Sequence, residues 1–138
     1  MNERSILITK QDKERLEEIL DVAAEFGERA RKDLDALRDE LLRAEIVEPQ
    51  AIHRGVVTMN SKVLLEDLDN RERMTVTLVF PADANADEGA VSVLAPVGTA
   101  ILGYSEGDVV EWPVPDGVRR LKIRKVVYQP EAAGDFHL

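Results

Sequence analysis

From Lys10 to about Ala44 the apolar residues fall at helical spacing, and beyond Gly55 the period drops towards two. The change predicts two regions of different architecture. In the first, Thr9 offers a hydroxyl to the opening turn, and Asp12 three residues later puts negative charge where a helix N-terminus favours it. Leu16, Ile19, Ala23 and Phe26 line one face, and Gly27 interrupts. Ala30, Leu34, Leu37, Leu41 and Ala44 then resume as a heptad seam with charged residues on the remaining faces. Two amphipathic segments joined by a short glycine-containing turn cover each other only when antiparallel, so residues 1–50 are expected to form a short projecting helical hairpin, closed by Pro49. Each arm of about 16 residues would extend about 24 Å.

In the second region, residues 51–138, the stretches VVTMNSKVLLEDL, MTVTLVF, AVSVLA, GDVVEWPV and RRLKIRKVVY are short, β-branched and separated by Asp, Asn, Gly and Pro. They predict a small, mostly antiparallel sheet. Asp69-Asn70 is the expected first turn, and Pro115-Asp116-Gly117 the last. Between them PVGTAILG opens on Pro96 and closes on Gly103, the residues suited to the start and stop of one short helix. The fold class is therefore α+β, with a helix laid on one sheet face. The stretch after Tyr128 lacks a pattern and is expected to run as a tail over the surface.

Composition narrows the chemistry. A net charge of −9 repels phosphate backbones, which argues against direct nucleic-acid binding and leaves room for a protein partner with a basic groove. The absence of cysteine removes disulfides and thiolate metal sites. His53 and His137 stand alone, without the spacing of a metal site or catalytic pair. No cofactor is expected. No apolar run reaches the roughly 20 residues of a membrane span, and the N-terminus lacks a secretory pattern, so the expected location is the cytoplasm without membrane attachment. One strand face carries Arg120, Lys122 and Arg124, with Leu121, Ile123 and Lys125 expected on the other; either a solvated face or a surface for an acidic partner accounts for it.

Two stretches, VTMNS and the APVG-to-GD segment of residues 95–108, resemble the C-terminal domain of the GreA/GreB transcript elongation factors, and the ending YQPEAAGD resembles the shorter members of that superfamily. The short hairpin, the junction PQAIHRGVVTMNSKV and the C-terminal stretch are similar to the shorter Rnk family within that superfamily, regulators of nucleoside diphosphate kinase. The resemblance implies an FKBP-like head following a coiled coil, and a non-enzymatic regulator that binds RNA polymerase at its secondary channel. The strand-to-helix corner at Leu94, Ala95, Pro96 and Val97 would be the polymerase contact. Alternatively, it implies an interaction module that regulates nucleoside diphosphate kinase independently of polymerase. In the cleavage factors two acids at the hairpin tip help hold magnesium. Here Glu25 and Glu28 have acid-x-x-acid spacing with Asp33 nearby, but Arg29, Arg31 and Lys32 follow directly. Arms some 15 to 20 residues shorter than in those factors would lose on the order of 25 Å of reach. Neither cleavage nor a metal site is therefore expected. The FKBP-like resemblance also raises prolyl isomerase activity, which the scarcity of aromatic residues argues against.

Overall fold

The computed structural model describes residues 6–23, 28–114 and 117–135, with residues 22–23, 28–34, 36, 86, 96 and 112–114 described by their backbone alone. Strand β1 (Leu7–Thr9) leads directly into helix α1 (Lys10–Ala23). Helix α2 (Glu28–Arg43) leads into β2 (Glu45–Val47), which pairs parallel with β1, Ile8 opposite Ile46. This small ribbon at the base of the helices has no periodic signal in the sequence, because three residues are too few to establish one. Thr9 Oγ1 accepts from Asp12 N at 3.1 Å, the expected cap. Leu16, Leu20, Leu37 and Leu41 are buried where the two helices meet, so the seam follows Leu20 rather than the half-buried Ile19. Gly27 and the expected turn lie outside the described residues.

Strands β3 (Lys62–Asp67), β4 (Arg73–Val79), β5 (Ala90–Ser92), β6 (Val109–Val114) and β7 (Gly117–Tyr128) form one sheet in the order β5-β4-β3-β7-β6. All pairs are antiparallel except β4 with β5. The β3–β4 turn falls at 68–72 as expected, closed by Asp67 N to Glu72 O at 2.8 Å. Helix α3 (Pro96–Ile101) lies against the sheet, and Gly103 after it takes a left-handed φ of 81°. One core joins Val63, Leu65, Leu78, Leu121 and Ile123 of the sheet to Ile101 of α3 and to Leu16 and Leu37 of the helical pair.

Three expectations need correction. The first strand starts at Lys62 rather than Val56, because Thr58–Ser61 forms a tight turn in which Thr58 N bonds Ser61 Oγ at 2.9 Å and Asn60 has a φ of 67°. Lys125 does not share a face with Ile123: the register skips Arg124, so a bulge leaves both Arg124 and Lys125 exposed and returns Val126 to the core. The stretch after Tyr128 is not a surface tail. It forms helix α4 (Pro130–Ala133), whose cap Gln129 is buried and donates from Nε2 to the carbonyls of His53 at 2.7 Å and Val56 at 2.8 Å.

Candidate docking surface

The corner between β5 and α3 is built by close backbone contact. Leu94 N donates to Ser92 Oγ at 3.1 Å, and Ala95 N to Ser92 O at 3.0 Å. Thr99 Oγ1 donates to Val93 O at 2.6 Å, tying the first turn of α3 back to the strand. A Cβ at Gly98 would stand 2.2 Å from Ser92 O, so only glycine permits this approach. Leu94, Ala95 and Val97 are half-buried, with Leu94 and Val97 packed against the core. Pro96 opens the helix at its first position, where a missing N–H costs nothing. Leu94, Ala95 and Val97 therefore sit on one fixed ridge, partly apolar and partly open to solvent, which the backbone of Pro96 runs through.

The ridge is tied to the helical pair through the far end of α3. Leu7 N of β1 donates to Gly103 O at 3.1 Å, and Gly103 N to Val57 O at 2.8 Å. A Cβ on Gly103 would meet Ile6 Cβ at 2.7 Å. Arg43 Nη2 at the end of α2 reaches the Tyr104 hydroxyl at 3.4 Å.

A second tie, which the sequence did not reveal, centres on Asp12. Its carboxylate is 1% exposed and accepts from Met59 N at 3.0 Å and Arg15 Nη2 at 2.5 Å. Arg15 in turn stacks over the half-buried Phe80 ring, 4.8 Å from its centre. Burial pushes the Asp12 carboxyl above its ordinary range, and the bonds from Met59 and Arg15 partly offset the rise. Glu131 of α4 closes the cluster, accepting from Thr58 Oγ1 at 2.7 Å, and burial raises its carboxyl too. Thr-x-x-Asp before an apolar run signals only a cap; nothing in it shows that the acid also bonds a residue 47 positions away.

The tip acids stand differently. Glu25 lies outside the described residues, and Glu28 and Asp33 sit in the first part of α2, described by backbone alone. Along the helical pair a groove is lined by Leu20, Leu41, Leu42, Ala44 and Ile46, and the Leu42 side chain is 79% exposed. His53 is exposed, as expected for a junction residue.

Residues 52–128 match the model of the C-terminal domain of transcription elongation factors GreA/GreB, and residues 4–47 that of the Rnk N-terminus. The chain belongs to the Rnk group of the GreA/GreB family. It is 40% identical, over the full length of both chains, to the regulator of nucleoside diphosphate kinase of Escherichia coli K12. Against transcription elongation factor GreA of Hyphomonas neptunium it is 30% identical over 96 residues, 70% of this chain and 61% of that one. Among solved structures, a GreA/GreB transcription elongation factor from Nitrosomonas europaea superposes with a TM-score of 0.74 at 42% identity, covering 90% of this chain and all of that one. No helix among the described residues is long and apolar enough to cross a membrane.

Proposed function

We propose that the protein is a non-enzymatic regulator that docks on RNA polymerase at the mouth of the secondary channel. The ridge Leu94–Val97 makes the contact, the helical pair enters the mouth, and Gre-type factors are excluded without transcript cleavage. The observation that carries this reading is the joining of ridge and helices into one body: α3 holds the ridge at one end, and Gly103, two residues past its other end, accepts from Leu7 N of β1. Docking the ridge therefore fixes where the helices point. Helix α1 has 14 residues and α2 has 16, which at about 1.5 Å per residue gives arms of roughly 21–24 Å. Arms of that length reach into an entrance and stop short of a catalytic ion held deep behind it. The acids Glu25, Glu28 and Asp33 then act by charge against a basic channel wall rather than on metal.

The test is binding to core RNA polymerase with competition against a GreA factor. Capture at micromolar concentration, displacement of GreA and no stimulation of cleavage are expected. Absence of both binding and competition overturns the reading. Pro96→Asp should weaken binding while the circular dichroism spectrum stays unchanged.

The name borne by the Escherichia coli relative favours a second reading, an interaction module acting on nucleoside diphosphate kinase. A change in kinase activity on adding the purified protein, with polymerase absent, would support it.

A further inference from the structure

The basic strand β7 has a counterpart across the sheet. Lys122 stands opposite Glu66 of β3, and Glu66 stands opposite Arg73 of β4. Directly opposed residues of antiparallel strands point to the same face, so Arg73, Glu66 and Lys122 form one row across three strands. The row lies on the face turned away from α3, because the alternate residues Val63, Leu65, Leu121 and Ile123 fill the core. The bulge adds a further cation: Arg124 Nε lies 3.3 Å from Glu66 Oε1, while Arg71 Nη1 from the β3–β4 turn lies 3.6 Å from Oε2.

Glu66 is only 5% exposed, yet four cations surround it. Both its oxygens face arginines. Arg73 and Lys122 have no acid at ion-pair distance among the described residues. The cluster thus holds more positive charge than its one acid neutralises, on a chain whose net charge is −9. Glu66 is complemented in sign by its cross-strand neighbours, but one carboxylate serves four cations, so the remaining positive charge has no partner within the row. An external anion would relieve it, and the arginine forks suit carboxylates.

We infer that this outer sheet face is a docking site for an acidic segment of a partner protein, whose carboxylates sit among Arg71, Arg73, Lys122 and Arg124. Two strand spacings make the row about 10 Å wide, and Lys122 to Arg124 adds about 7 Å along the strand, room for two or three carboxylates. Acids bound it on one side: Asp69 lies 3.4 Å from Arg120, and Glu111 stands opposite Arg120. A patch so limited is too short for a phosphate backbone, which calls for a continuous basic stripe. The site goes beyond the polymerase reading, uses the opposite face from the ridge, and is tested without polymerase.

The experiment measures fluorescence anisotropy of labelled hexaglutamate with the purified full chain. Binding is expected at low ionic strength, weakening as salt rises to about 0.15 M. The double variant Arg73→Glu/Lys122→Glu should lower affinity by ~10-fold or more, whereas Arg38→Glu on α2 should leave it within about twofold. Should charge reversal disturb folding by circular dichroism, Arg73→Ser/Lys122→Ser carries the same test with an expected loss of ~3-fold or more. No binding at low salt, equal binding by parent and sheet variants, or tighter binding of an oligothymidylate of matched charge would overturn the inference.

Discussion

Replacing Asp12 by alanine tests the joint between helices and head. The side chain is buried, so truncation strands the Met59 N–H that it accepts at 3.0 Å and releases Arg15. An orphaned buried donor costs about 1–3 kcal/mol. Losing Arg15 adds up to about 1 kcal/mol, since that side chain is 30% exposed and can rehydrate. Relief of the buried charge offsets part of this, leaving an expected loss of about 2–3 kcal/mol and a drop in Tm on the order of 10 °C. Asp12→Asn keeps an acceptor for Met59 without the charge and should stay within about 1 kcal/mol of the parent. Because burial raises the Asp12 carboxyl, its proton is held more tightly in the folded state. The linked stability is complete below the ordinary value of 3.8 and fades as pH rises through the folded value. Asp12→Asn should therefore compare better with the parent at pH 7 than at pH 4. Thermal unfolding at both pH values, with amide exchange at Met59, checks the set. An Asp12→Ala protein as stable as the parent, with Met59 equally protected, would refute the joint.

Gly103→Ala should cost about 2–4 kcal/mol, because φ is +81° and the new Cβ would lie 2.7 Å from Ile6 Cβ; chemical denaturation measures it. The Tyr128 hydroxyl, bonded to Asp135 Oδ2 at 2.5 Å, has its pKa pushed up to about 12 by that bond, and Asp135→Asn should bring its ultraviolet titration back towards 10. The stability linked to this proton is complete below pH 10 and lost as pH rises towards 12. Arg119, 2.8 Å from Asp67, holds that carboxyl below its ordinary 3.8, so the pair stabilises above that pH and the gain is lost on acidification; Arg119→Gln should flatten the acid limb of the unfolding profile.

Elements with long periodic runs were legible in the sequence. The β3–β4 turn and the Pro96-to-Gly103 helix follow from residues whose local preferences agree with the fold, and so do Leu16, Leu37 and Leu41 between the helices, whereas Leu20 rather than the expected Ile19 is buried there. What escaped was decided by distant partners. Gln129 reads as an ordinary polar residue until His53 and Val56 offer it two buried carbonyls, and Asp12 reads as a cap residue until Met59 arrives. The bulge at Arg124 breaks the alternation expected of RRLKIRKV, because the neighbouring strand sets the register. The ridge was found through resemblance; Gly98 and Thr99, which hold it in place, show their role only where the backbone of Ser92 and Val93 comes close.

A ridge and a short helical pair held as one body mean that docking one positions the other. A structure of the protein bound to core RNA polymerase tests it most directly. Leu94–Val97 should lie against the channel rim, with the helical tip on the order of 25 Å short of the catalytic ion. A tip at the ion, or a complex held through some other face with the ridge in solvent, would contradict it.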